Sequence, residues 1–153
     1  MQLVIDTNIW VRALIEEEYD EWCDYALISF MQKRDHQLVL DDKREIQGEY
    51  EDNVKASRKY QRLMLQLGTE QRLTYTSSHL PNKHIKKLDE LKFHEPEDRV
   101  FVGVAYHTDR KIITEDSDYG VHGEEEKKAV YEYMKQGMNL QVFTAKQALE
   151  TIL

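Results

Sequence analysis

Residues 2–8, Gln2-Leu3-Val4-Ile5-Asp6-Thr7-Asn8, pass in one step from an apolar run to three polar side chains. A short run of branched apolar residues ending so abruptly reads as a buried strand that delivers Asp6 at its tip, with Thr7 or Asn8 capping a following helix. A second run, Lys111-Ile112-Ile113-Thr114, ends the same way, in Glu115-Asp116-Ser117-Asp118. Two strands thus hand acids to the same kind of position.

The remainder fits around these two strands as alternating elements. Apolar positions recur at loose helical spacing from Tyr19 to Arg34, and 36–40 reads as a strand. Asp42 and Glu45 have capping-box spacing for a helix running, with a break, to Leu67. The Thr/Ser cluster 74–78 and Pro81 interrupt any pattern in 69–92, although Ile85, Leu88 and Leu91 share one helical face. A helix starts behind Pro96 and runs to His107, with Asp98 in its first turn. Residues 124–136 read as helix and 140–143 as strand, and Thr144 with Gln147 opens a last helix. Short strands alternating with helices define an α/β layered sheet with parallel connections, in which ligands bind beyond the carboxyl ends of the strands.

The chain has 153 residues, enough for one domain spanning 1–153, with 41% apolar and 33% charged residues. The lone Cys23 excludes an intrachain disulfide and a cysteine-rich zinc module, so packing is its expected role. No apolar stretch approaches the roughly 20 residues that cross a bilayer, and Asp6 interrupts the start before a signal sequence forms, which predicts no membrane association and a cytoplasmic location. The net charge of −8 argues against a general polyanion-binding surface, but it is unevenly spread: −7 over 1–50, +4 over 51–92 and −5 over 93–153. A Walker loop, a Gly-rich dinucleotide fingerprint and the H-E-x-x-H arrangement are all missing.

Asp6, Glu49, Asp98 and Asp116 each fall at a strand tip or near a helix start that can face one crevice, and carboxylates are the groups that hold hard divalent ions for phosphodiester chemistry. Glu45 lies one turn before Glu49 on the same helical face, so periodicity does not decide which of the two projects inward. Asp118 is a further ligand candidate, and Asp42 reads as a cap. The bland reading of each acid is helix capping or a solvated face. Clustered acids repel unless a cation compensates them.

The run Val4-Ile5-Asp6-Thr7-Asn8 resembles the opening of PIN-domain nucleases, and Asp98-Arg99-Val100-Phe101-Val102-Gly103-Val104-Ala105 followed by Ile113-Thr114-Glu115-Asp116-Ser117-Asp118-Tyr119 resembles their carboxy-terminal acidic motifs. The 18-residue separation of Asp98 and Asp116 matches short toxin-like (VapC-like) members, and the family's second acid corresponds to Glu49 in Ile46-Gln47-Gly48-Glu49-Tyr50. The resemblance implies a three-layer α/β/α fold with a mainly parallel sheet. It also implies metal-dependent endoribonuclease activity with Mg²⁺ or Mn²⁺ on Asp6, Glu49, Asp98 and Asp116, assisted by Asp118. Asn8 and Thr114 would then hold those acids or a bound water. By the same analogy the protein is expected to form a homodimer and, as a toxin, to meet a cognate antitoxin.

For an RNA substrate, Lys55, Arg58, Lys59 and Arg62 are spaced as a stripe along one helix, and Lys83, Lys86, Lys87 and Lys92 form a second basic group. Tyr60 and Tyr75 are candidates for base stacking. Trp10, Tyr19, Trp22 and Phe30 either cover a partner surface or complete the core. The competing functions are a DNA-directed nuclease, an inactive PIN-like RNA-binding or interaction module in which Glu49 stays out of reach of the other acids, and a structural α/β protein whose carboxylates are separated caps.

Overall fold

In a computed structural model describing residues 1–153, β1 (Gln2–Ile5) leads through α1 (Thr7–Leu14) and α2 (Glu21–Gln32) to β2 (Gln37–Asp41). Helices α3 (Glu45–Val54) and α4 (Arg58–Thr69) then cross to β3 (Leu73–Thr76), and α5 (Asn82–Glu90) and α6 (Pro96–Tyr106) return the chain to β4 (Lys111–Ile113). A short helix α7 (Lys128–Glu132), continued by a π turn over Tyr133–Gly137, precedes β5 (Gln141–Phe143) and α8 (Ala145–Thr151).

The five strands lie in the order β3-β2-β1-β4-β5, and every pair is parallel. The register sets Leu3 beside Leu38 and Ile5 beside Ile113. Helices cover both faces, giving three layers. That explains why Leu3, Val4, Ile5, Leu38, Val39, Leu40, Ile112 and Ile113 form continuous apolar runs instead of alternating: all are 0–1% exposed. From β1 the chain builds outward to β3, then returns and adds β4 and β5 on the opposite side. The crossovers therefore diverge beyond the carboxyl ends of β1 and β4, where a parallel sheet leaves its crevice.

Local chemistry differs from the sequence expectation in several places. Asp6 itself caps α1, its carboxylate accepting from Thr7 N, so Thr7 and Asn8 lie inside the helix. At α3 the carboxylate of Asp41, not Asp42, accepts from Glu45 N and Ile46 N at 2.9 and 2.8 Å. A left-handed Arg44, with φ 60°, turns the chain so that the last residue of β2 reaches the helix end. The break in the helical stretch that reaches Leu67 falls at Ser57, which caps α4. Lys55 consequently ends α3 while Arg58, Lys59 and Arg62 sit on α4, and the basic stripe does not follow one helix. β3, hidden in a Thr-rich stretch, is a partly exposed strand at the edge of the sheet that pairs Leu73 to Thr76 with Leu38 to Asp41. The capping box at Thr144 and Gln147 is present. The candidate interface aromatics divide: Trp10 and Phe30 are buried in the core, whereas Tyr19 and Trp22 are exposed, as are Tyr25 and Ile28 on α2. Cys23 is buried in the core.

α6 packs against the segment following β3 at Gly103, where a Cβ would stand 1.9 Å from the carbonyl oxygen of Ser78. That backbone cannot swing aside as a side chain would. Gly103→Ala is expected to destabilise the fold by about 1–3 kcal/mol despite the better helix propensity of alanine. Urea unfolding checks this, and a stabilised variant would refute the tight packing.

Candidate metal centre and active site

Asp6 is 4% exposed and fully engaged by its neighbours. Its Oδ1 accepts from Thr7 N at 2.7 Å, while Oδ2 accepts from the Thr114 hydroxyl at 2.6 Å and from Asn8 Nδ2 at 3.0 Å. Thr114 Oγ1 in turn accepts from Asp116 N at 3.0 Å, and Asn8 Oδ1 accepts from Glu115 N at 3.0 Å. Asn8 and Thr114 therefore stitch the ends of β1 and β4 together, fixing the orientation of Asp6 and the path of the loop that carries Asp116. Oδ1 of Asp116 accepts from Asp118 N at 2.9 Å, which folds residues 117–119 into a single 3₁₀ turn and sets Asp118 beside Asp116.

The third acid, Asp98, lies in the first turn of α6, which begins at Pro96. Tyr119, buried and packed against Phe93, donates its hydroxyl proton to the Asp98 carbonyl at 3.4 Å, tying that turn to the Asp116 loop. Carboxylate oxygens of Asp98, Asp116 and Asp118 all lie within 4.8 Å of one another. From the opposite wall, the buried Tyr50 hydroxyl donates to the Ile5 carbonyl and anchors α3 beside the end of β1. Glu49, just before Tyr50, is half-buried, and Glu45, one turn earlier, is exposed. Glu45, Glu49, Asp52, Glu95, Glu97 and Asp98 line an open depression of about 620 Å³ with no apolar side chain. A neighbouring cleft of about 680 Å³, bordered by His122, Tyr131, Lys146 and others, contains none of the five site acids.

The electrostatics follow from this crowding. Burial pushes the Asp6 carboxyl up to about 7; the Thr114 hydroxyl opposes the shift, and the charges of Asp116 and Glu49 add to it. Asp98 is also pushed up to about 7, first by burial and then by Asp116, Asp6, Asp118 and Glu49. Burial raises Glu49 and Asp116 as well, and the nearby Thr7 hydroxyl, which is buried and makes no hydrogen bond, draws Glu49 partly back. The charge of Glu49 acts on Asp6 and Asp98, and Glu49 shares the open depression with Asp98. One basic side chain, Lys127, stands within 4 Å of any of the five, at 3.8 Å from Asp118. An oxygen-only donor set with a large excess of negative charge fits a hard divalent cation such as Mg²⁺ or Mn²⁺.

A carboxyl that binds its proton more tightly in the folded state contributes stability that is fully present below its unfolded value, 3.8 for Asp6, and lost as pH rises through about 7. Buried His36 and His84, held below their ordinary values by desolvation, act in the opposite direction. The clean readout is therefore a difference. In EDTA, the melting temperature of Asp6→Asn minus that of the unaltered protein is expected to grow between pH 5 and pH 7 and then level off. A flat difference would contradict the raised proton affinity of Asp6.

The basic candidates are dispersed. Lys55, Arg58, Arg62, Lys83 and Lys86 are exposed without ion pairs, whereas Lys59 pairs with Asp24 at 3.1 Å and Lys87 with Glu90 at 3.6 Å. Lys92 is also exposed. Tyr60 is 4% exposed and packs edge-on against Trp10, which removes it as a stacking platform, while Tyr75 is 45% exposed. Lys127 was not legible beforehand: it sits in an acid-rich stretch with no periodic signal.

The PIN domain family model matches residues 2–118, which include all five acids. The chain belongs to the PIN-domain family. Among solved structures, it resembles a chain from the crystal structure of VapBC2 from Rickettsia felis bound to a DNA fragment from their promoter. The TM-score is 0.52 at 15% identity, over 94% of this chain and 98% of that one, so the likeness is one of fold. No curated protein matches the sequence significantly. No helix is long and apolar enough to cross a membrane.

Proposed function

We propose that this PIN-domain protein is a divalent-metal-dependent endoribonuclease that hydrolyses RNA phosphodiester bonds. The reading is carried by Asp98, Asp116 and Asp118, whose carboxylate oxygens lie within 4.8 Å of one another near the switch point of the sheet, where Asp6 ends β1, with Lys127 as the sole lysine or arginine within 4 Å; Glu49 on α3 is assigned to the same set. Asp98, Asp116 and Asp118 would hold Mg²⁺ or Mn²⁺, with Asp6 beside them through Thr114 and Glu49 completing the set from α3. When bound, such an ion polarises a phosphate oxygen and lowers the pKa of a water nucleophile.

The chain's own groups do the positioning. Thr7 N, Asn8 and Thr114 hold Asp6 in one orientation, and Thr114 joins it to the Asp116 backbone. Such outer contacts fix the geometry of ligating carboxylates. Exposed Lys55, Arg58, Arg62, Lys83 and Lys86 supply positive charge for the polynucleotide. A toxin role with a cognate antitoxin, and assembly as a homodimer, belong to the same proposal; they draw on the resemblance to toxin-like members and on the fold shared with a VapBC2 chain.

The test is incubation of labelled single-stranded RNA and matched DNA with purified protein in Mn²⁺, Mg²⁺ or EDTA. Internal cleavage of RNA with either metal and none in EDTA is expected. Cleavage of DNA alone would replace this reading with a DNA-directed nuclease, and RNA binding without cleavage would favour an inactive module.

A further inference from the structure

Lys127 is placed by backbone packing rather than by chance on the surface. It ends the 3₁₀ turn Glu125–Lys127 that runs into α7. Its carbonyl oxygen lies against Gly120, where a Cβ would approach to 2.6 Å. Gly120 has φ +70°, a conformation that closes the turn carrying Asp116 and Asp118 and that glycine adopts freely. The same residue thus shapes the acidic loop and admits the Lys127 backbone beside it. The ammonium extends to 3.8 Å from Asp118 Oδ1, and the Lys127 side chain is 24% exposed against 47% for Asp118. No other lysine or arginine comes within 4 Å of the acidic set.

A cation at this point has two opposite consequences. It competes with a metal ion for the Asp98, Asp116 and Asp118 carboxylates, and it attracts an anion that comes to meet that metal. A simple structural ion pair with a half-exposed aspartate would contribute little and would not distinguish these effects.

We propose that Lys127 is a phosphate-contacting residue of the site, which neutralises Asp118 in the free protein and engages the substrate phosphate once Asp118 turns to a metal ion. This rests on the nuclease reading above and adds to it the means by which metal binding and phosphate binding reinforce each other. A lysine suits the role because its ammonium is a compact point charge on a flexible stem that exchanges partners without a fixed bidentate geometry.

Free Mn²⁺ measured by electron paramagnetic resonance tests this without a cleavage assay, using the full chain with and without inorganic phosphate. Without phosphate, Lys127→Met is expected to bind Mn²⁺ roughly three- to tenfold more tightly than the unaltered protein, because a competing charge is gone. Phosphate should tighten Mn²⁺ binding in the unaltered protein and in Lys127→Arg, and lose most of that effect in Lys127→Met. Equal Mn²⁺ affinity and equal phosphate enhancement in a folded Lys127→Met protein would overturn the assignment and leave the metal centre standing. Failure of the unaltered protein to bind Mn²⁺ at all would remove the metal centre and this inference with it.

Discussion

Asp116→Asn is expected to lower metal-dependent RNA cleavage at least ~1000-fold, equivalent to about 4 kcal/mol of barrier. The substitution is nearly isosteric, and the asparagine oxygen can still accept from Asp118 N, so the 3₁₀ turn and its hydrogen bond to Thr114 survive. What disappears is one negative charge among three carboxylates within 4.8 Å. Asp6→Asn should cause a comparable loss of activity while raising the thermal stability of the metal-free protein at pH 8. Its carboxyl is buried and pushed up to about 7, so the charged form is held against its preference. Opposite changes in activity and stability are the signature of a functional site built at the expense of the fold. A stable Asp116→Asn protein that cleaves normally would eliminate the assigned centre.

The largest effect on stability is expected at Arg72, remote from the acids. Arg72 is 3% exposed, and its guanidinium donates to the carbonyls of Phe30, Met31, Lys33 and His36 and to Glu70 at 2.7–3.0 Å. Phe30 and Met31 lie in the last turn of α2, whose terminal carbonyls have no partners within the helix. The group also stacks over the Phe30 ring, with its central carbon 5.2 Å from the centroid. One side chain therefore ties α2 and the start of β2 to the start of β3. Arg72→Met should cost about 3–5 kcal/mol, since it strands several buried acceptors. For a chain of this size that corresponds to a fall of roughly 10 °C in melting temperature. Arg72→Lys should be intermediate, because an ammonium keeps the charge but lacks the planar five-donor fork. A shift below about 2 °C in Arg72→Met would show that water replaces those contacts without penalty.

The fold class was legible because its central strands are buried on both faces. Val4-Ile5 and Ile112-Ile113 are apolar without alternation, and each ends in an acid at the tip of the sheet. Asp98 was legible from its place behind Pro96, and its spacing to Asp116 reflects one helix followed by one strand. β3 was not, because an edge strand has one unpaired side and tolerates Thr74, Tyr75 and Thr76, which resemble loop residues in composition. The different burial of Glu45 and Glu49 depends on a long-range contact, the Tyr50 hydroxyl on the Ile5 carbonyl that anchors α3, of which local periodicity carries no record. The capping roles of Asp6 and Asp41 were obscured for a related reason. Each serves both as the end of a strand and as a helix-capping acceptor, whereas a sequence pattern assigns the cap to the next polar residue. The basic stripe failed at Ser57, whose cap starts α4 and leaves Lys55 on α3, apart from Arg58, Lys59 and Arg62.

The most direct measurement is the rate of cleavage of a labelled single-stranded RNA by the unaltered protein and by Asp116→Asn, side by side in Mn²⁺ and in EDTA. Cleavage by the unaltered protein in Mn²⁺ alone, and none by the variant, is expected. Cleavage that persists in EDTA, or that is equal in the two proteins, would contradict the assigned metal centre.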